Sequence, residues 1–235
     1  MPDDTRCDEI ADGIYRISTF LGCAAQPGGV TVNRFLVVAD EPLLFHTGHA
    51  VLASATVREV ARVIPMSSVR WISFGHVEAD ECGAVDQLLA HAPRASVTVG
   101  SVDADARFRR FARGPVSAWR GHERLDLGGR CIRFLATPHV PHNWESGLFY
   151  EETGGTLFCG DILTHTGDGP ALVETDIVGP ALAADAMFHA MSMAPNTKAV
   201  LERLAALKPR TLALMHGSSF RGDGAAALRA LAAQL

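Results

Sequence analysis

Trp71-Ile-Ser-Phe-Gly-His-Val-Glu-Ala-Asp-Glu-Cys-Gly83 is the stretch on which the reading of this chain turns. A strand-like apolar run ends at Gly75, and His76, Glu78 and Asp80 then alternate with the small apolar residues Val77 and Ala79. In extended backbone every second side chain points the same way, so one imidazole and two carboxylates are aimed at one place. Ionisable groups crowded after a buried strand repel one another unless a cation holds them. Glu81 follows at once and could offer a further carboxylate, or favour the start of a helix through the helix dipole. Taken alone, the segment also reads as an acidic loop feeding a helix N-terminus.

Three more strand-like runs end in residue types that bind metals. Phe134-Leu-Ala-Thr-Pro138 leads into His139 and His142, Thr156-Leu-Phe-Cys-Gly160 into Asp161, and Leu212-Ala-Leu-Met215 into His216. A lone histidine after a strand is more often a hydrogen-bonding residue than a ligand. Four strand ends repeating the pattern point to a metal site, because open α/β sites gather at strand ends. The residue types are those of a nitrogen- and oxygen-ligated centre.

Around these segments the chain alternates strands and helices. Strand character runs over Gly13–Ser18, Arg34–Val38, Leu43–Phe45, Trp71–Phe74, Ser96–Val99, Cys131–Ala136, Gly147–Tyr150, Thr156–Cys159 and Thr211–Met215. Helical periodicity runs over Leu52–Val63, Glu81–His91, Val102–Ala112, Ala181–Met193, Thr197–Leu207 and Gly224–Ala233. Pro65 and Pro93 each follow a helix, and Pro195 and Pro209 bracket another. The pattern predicts an α/β fold with helices on the outer faces of a central pair of sheets. A doubly wound nucleotide-binding sheet is excluded, since no GxGxxG or GxxxxGK[ST] follows a strand. No linker or low-complexity tract divides residues 1–235, so one domain is expected.

Composition removes other classes. At 235 residues, 48% apolar and 20% charged, the chain has globular composition and enough material for a sizeable core. The net charge of -5 speaks against a nucleic-acid surface, and the one basic group, Arg107, Arg109, Arg110 and Arg113, reads as a solvated helix face. The five cysteines, Cys7, Cys23, Cys82, Cys131 and Cys159, form no CxxC, so neither a disulfide framework nor a rubredoxin-like site is indicated. Cys131 and Cys159 read as small core residues. No apolar run is long enough to span a bilayer, and the acidic start lacks the features of a secretory signal. A cytoplasmic protein, with neither membrane nor nucleic acid as partner, is the expectation.

The chain resembles the metallo-β-lactamase superfamily, whose signature reads H-x-H-x-D-H followed by separate His, Asp and His residues. Here Glu78 replaces the second His, and H-x-E-x-D is the version found in flavodiiron proteins and the related oxygen-binding di-iron proteins (ODP). The resemblance covers nearly the whole chain, including the strand pair around Val32–Gly48 with its EPLLFHTG. It selects His142 over His139, because the family ligand lies four residues before a Ser, as His142 does before Ser146. The 18 residues between His142 and Asp161 agree with it. His139 is then a surface residue or an outer partner of the ligands, and His46 could be another such partner. Glu81 stands where the family usually has a His; it is either an oxygen ligand to the second metal, or water takes that place. His49, His165 and His189 read as ordinary polar residues.

The resemblance implies a four-layer αββα sandwich and a dinuclear centre. One metal takes His76, Glu78 and His142; the other takes Asp80 and His216; Asp161 bridges them. An oxygen-rich, anionic donor set shifts preference from zinc toward iron or manganese, so two iron ions are expected, with zinc or manganese as alternatives. The implied function is binding or reduction of O2 or NO. Flavodiiron enzymes carry a flavodoxin domain after the lactamase-like one. This chain ends at Leu235 without room for one, so a stand-alone sensor, or an oxidase fed by a separate electron-transfer protein, is expected. The competing reading is a metal hydrolase in which a bridging hydroxide attacks an ester, thioester or lactam. Glu78 weighs against it by making the metals weaker Lewis acids. Di-iron relatives often pair head to tail, so a homodimer is also implied.

Overall fold

The structure, a computed structural model, describes residues 4–22, 27–100, 116–119, 123–142, 145–191 and 194–235. Its strands form two seven-stranded sheets. The first holds β1 (Thr5–Ala11), β2 (Ile14–Leu21), β3 (Val30–Val37), β4 (Leu43–Phe45), β5 (Trp71–Ser73), β6 (Ser96–Val99) and β7 (Val116–Ala118), in that order. The second is built from β8 (Arg124–Asp126), β9 (Cys131–Ala136), β10 (Gly147–Glu151), β11 (Thr156–Phe158), β12 (Leu172–Val173), β13 (Thr211–Ala213) and β14 (Ser219–Arg221). Its order is β12-β14-β13-β11-β10-β9-β8. The described helices are α1 (Ala53–Val60), α2 (Ala79–Cys82), α3 (Val85–His91), α4 (Val178–Phe188), α5 (Thr197–Ala205) and α6 (Gly224–Ala232).

Period-two alternation in the strands makes the layers. Phe35 and Val37 of β3 and Leu43 and Phe45 of β4 share one buried cluster with Ile132, Phe134, Phe149 and Phe158 of the second sheet. Their neighbours face the other way. Leu36, Leu44 and Ile72 pack on Val60 of α1 and Leu88 of α3. Leu148, Leu157 and Leu212 pack on Ala181 of α4, Leu201 and Leu204 of α5 and Leu228 of α6. The result is the expected four layers, helices–sheet–sheet–helices. At the centre, Phe45 meets Phe149 and Phe158 at ring-centroid distances of 4.9 and 5.4 Å, and Phe35 meets Phe158 at 5.5 Å. These are favourable aromatic separations.

Two expectations change in detail. The helix read over Glu81–His91 is two helices, α2 and α3, because the Glu81 carbonyl is taken by Thr47. It accepts from the Thr47 backbone N–H at 2.7 Å and from its hydroxyl at 3.0 Å, so it does not continue the helical ladder. The helix read over Ala181–Met193 begins earlier, at Val178, and ends at Phe188, where His189 adopts a left-handed φ of 52°. The helix expected over Val102–Ala112, with its arginine group, lies outside the described residues. Among the described residues no helix is long and apolar enough to cross a membrane.

Candidate metal centre

The chain coils immediately after Glu78, whose carbonyl accepts from the backbone N–H of Glu81 and Cys82 at 3.2 and 2.9 Å. Glu78 is extended, with φ −130° and ψ 156°, but Asp80 lies on the first turn of α2 rather than on a continuing strand. The expected alternation therefore holds only as far as Glu78. Asp80 reaches the same place from a helical turn.

There the predicted residues meet. Asp161 Oδ2 lies 2.9 Å from His142 Nε2 and 3.4 Å from His76 Nε2, while its Oδ1 lies 3.3 Å from His216 Nε2. His76 Nε2 is 3.3 Å from Glu78 Oε2, and His216 Nε2 is 3.1 Å from Asp80 Oδ2. His76, Glu78, His142 and Asp161 each bring one donor atom within 4.8 Å of the others, a grouping that could hold a metal ion. The supporting elements come from both sheets: β5 delivers His76, while β9, β11 and β13 precede His142, Asp161 and His216. A backbone hydrogen bond from Gly147 N–H to Gly75 C=O, 2.9 Å, ties the sheets beside the site. Only glycine fits at 75, since a Cβ there would lie 2.8 Å from the Gly147 oxygen.

The outer nitrogens of the imidazoles are fixed by the surroundings. His142 Nδ1 lies 2.9 Å from the Ala190 carbonyl and His216 Nδ1 lies 2.7 Å from the Thr31 carbonyl, so each presents Nε2 to the centre. Burial opposes charge on His76, but Glu81, Glu78 and Asp161 outweigh it and push the imidazole up to about 10. Burial likewise opposes ionisation of Asp161, yet the hydrogen bond from His142 and the nearby His216 imidazole hold it well below the usual carboxylate range. His76 Nε2 and Asp161 Oδ1 are buried without a hydrogen-bond partner, although both face opposite charge. Unsatisfied nitrogen and oxygen donors aimed at one point are what a bound cation satisfies.

Glu81 is fully buried and lies behind His76. Its Oε2 accepts from the backbone N–H of Gly75 and of His76, each at 2.7 Å, and its Oε1 is 3.2 Å from His76 Nδ1. His46 is fully buried too, with φ 63° and Nε2 at 3.2 Å from Glu81 Oε1. Burial drives its imidazole down to about 3, so it stays neutral. His139, by contrast, is exposed on the surface and does not join the group.

Other residues of this region were not singled out by sequence reasoning. Arg16 and Asn33, both buried, donate to the Gly217 carbonyl at 2.9 Å each, and Thr31 Oγ1 accepts from Gly217 N–H at 2.7 Å. They clamp the turn just after His216. His165, read as an ordinary polar residue, lies with Nδ1 3.1 Å from the Leu163 carbonyl and accepts at Nε2 from Ser218 N–H at 2.9 Å. It thus joins the loop after Asp161 to the loop after His216. Gly217, at φ 95°, makes room for this ring, because a Cβ would come within 2.4 Å of it. Buried polar residues in an apolar strand were the available signal for Arg16 and Asn33. None marked His165.

A small cavity of about 20 Å³ reaches Asp161 and is lined mainly by apolar side chains, among them Leu163, Ala184, Phe188 and Met191.

Comparison with known proteins gives the family. Residues 30–217 match the model of the ODP family beta lactamase. A putative diflavin flavoprotein A 1 of Thermosynechococcus vestitus is 27% identical over 208 residues, covering 84% of this chain and 35% of that protein. A coenzyme F420H(2) oxidase of Methanothermobacter marburgensis is 25% identical over 215 residues, 85% of this chain and 52% of that one. The chain thus spans about a third to a half of the length of these relatives. Rubredoxin oxygen:oxidoreductase from Desulfovibrio gigas superposes with a TM-score of 0.84 at 20% identity, over 97% of this chain and 62% of that one. A fragment of putative diflavin flavoprotein A 5 from Nostoc sp. gives 0.81 at 19% identity, over 99% and 96%. With the same two-sheet architecture and a family match over most of its length, the chain belongs to the ODP beta-lactamase family.

Proposed function

We propose that this domain, residues 1–235, binds two iron ions and uses them to bind or reduce O2 or NO. The observation that carries the reading is the carboxylate of Asp161, whose two oxygens face two separate sets of donors. His76, Glu78 and His142 would hold one ion, Asp80 and His216 the other, and Asp161 both. The donor set, three imidazoles with Glu78, Asp80 and Asp161, suits iron, and zinc or manganese are the competitors. Bound iron would supply redox-active electrons and an open coordination position for a diatomic ligand.

The chain's own residues complete the case. The Thr31 and Ala190 carbonyls orient His216 and His142 with Nε2 inward, so the donors are in place before the ions arrive. Glu78 adds negative charge that favours a more oxidised ion and weakens Lewis acidity, which disfavours hydrolysis. The apolar cavity at Asp161 has room for a molecule about the size of one water and little polar lining, properties that suit a small uncharged gas. Relatives named as a coenzyme F420H(2) oxidase and as a rubredoxin oxygen:oxidoreductase support oxygen chemistry. The rubredoxin in the second name leads us to assign electron supply to a separate electron-transfer protein, and the family resemblance to assign pairing to two copies of the chain.

Anaerobic purification, followed by iron, zinc and manganese analysis and visible spectra before and after O2 or NO, tests the reading. Two irons per chain with a gas-dependent absorption band are expected. Two zincs, unchanged spectra and turnover of an ester or lactam would overturn it.

A further inference from the structure

Resting on that reading, we infer that Glu81 is no donor to the second metal position but a positioning residue for the first, and that the centre is unequal. Four protein donors stand on one side of Asp161 and three on the other, counting Asp161 on both.

The case begins with where the Glu81 oxygens are used. Oε2 accepts two backbone hydrogen bonds of 2.7 Å, from Gly75 and His76. Among the described residues Oε1 makes no hydrogen bond and faces the two rings, 3.2 Å from His76 Nδ1 and 3.2 Å from His46 Nε2. Oε2 is thereby committed to the backbone at Gly75 and His76, and Oε1 to the side of the His76 and His46 rings. The backbone of the residue is pinned as well, since its carbonyl accepts from the Thr47 N–H and hydroxyl. Swinging the carboxylate round to His216 would leave two buried N–H groups unpaired.

His46 completes this arrangement. Its left-handed φ of 63° is unfavourable for a residue with a Cβ and persists only where the surroundings impose it. The ring lies 4.2 Å from that of Phe45, centroid to centroid, with Nε2 against Glu81 Oε1. Histidine at 46 and glutamate at 81 thus form one buried unit behind His76. A carboxylate behind a ligand imidazole orients the ring and raises its basicity.

Among the described residues no carboxylate stands behind His216 as Glu81 does behind His76; its Nδ1 meets the neutral Thr31 carbonyl at 2.7 Å instead. His216 Nε2 has Asp80 Oδ2 at 3.1 Å and Asp161 Oδ1 at 3.3 Å, and Glu81 does not join them. Among the described residues, the one group of three or more donors drawn within 4.8 Å is the four-residue set that includes His76. Loading therefore proceeds in two steps of different affinity, the tighter at His76, Glu78, His142 and Asp161. The weaker position keeps more of its coordination for exogenous ligands.

Anaerobic titration of the metal-free full chain with Fe(II) by calorimetry, and with Co(II) by visible spectroscopy, tests this. The unaltered chain should show two distinct steps. Glu81→Gln should weaken the first step by about 10–100-fold and shift the Co(II) bands of the first equivalent, leaving the second step unchanged. Loss of the second step with the first intact would overturn the inference and make Glu81 a second-position ligand. Should Glu81→Gln not fold, two other variants decide. Asp80→Asn should remove only the weaker step and Glu78→Gln only the tighter; the reverse result overturns the proposal. Two equal steps in the unaltered chain refute this inference alone, whereas no metal binding at all refutes the metal centre on which it rests.

Discussion

Replacing Glu78 by histidine would remove an anionic oxygen from beside Asp161 and supply a softer nitrogen. Glu78→His should therefore raise the zinc fraction of protein isolated from a mixed-metal medium, read by elemental analysis; an unchanged metal content would remove Glu78 from the donor set. His165 acts at a distance. Its removal in His165→Ala unpairs the Ser218 N–H and the Leu163 carbonyl, which should cost about 1–3 kcal/mol of stability in urea unfolding. The same change should lower metal retention, since both loops carry centre residues. At this scale the site was largely legible. His76, His142, Asp161 and His216 are ionisable residues that follow strands, which are visible in a sequence, and Glu78 and Asp80 stand out by their two-residue spacing from His76. The direction of Glu81 was not legible, because it depends on Thr47 holding the carbonyl and on the φ of His46. Nor was His165, whose partner Ser218 is brought up only by folding.

Single elements differ in what they do for the centre. β10 places Phe149 between Phe45 and Phe134 in the layer between the sheets, with centroid distances of 4.9 and 6.0 Å. Phe149→Ala should cost about 3–5 kcal/mol, measurable as a lowered denaturant midpoint, with the metal count of the folded fraction preserved. α4 lines the cavity at Asp161 through Ala184 and Phe188. Ala184→Leu should fill that space and slow the reaction with O2 in stopped-flow absorbance while iron content stays at the unaltered level. A rate equal to that of the parent would show that gas arrives elsewhere. An uninterrupted apolar run such as β4, Leu-Leu-Phe, was legible with its bounds, whereas β1 was not. Its sequence TRCDEIA offers little apolar alternation and becomes a strand only by pairing with β2. β12, two residues long, exists only through its pairing with β14.

Across the whole molecule, the pair of sheets was foreseen from alternating elements with outer helices, while strand order depends on contacts far apart in sequence. Parallel pairing of β11 with β13, for example, joins Thr156 to Thr211. The centre draws on both sheets, so metals bound there would join the two layers as well as the six side chains. Metal binding to the folded state alone adds RT ln(1 + [L]/Kd), about 2.7 kcal/mol at a hundredfold excess over Kd. Chelation should therefore lower the Tm of the whole chain in one transition; an unchanged Tm would place the metals outside the cooperative unit.

The Gly147–Gly75 hydrogen bond makes that coupling readable at a single atom. In deuterated solvent the Gly147 amide becomes a clock for the parting of the layers, since it can exchange only when the bond between them opens. Metals that clasp both layers should slow that clock, while amides on the rim of β1 keep their own time.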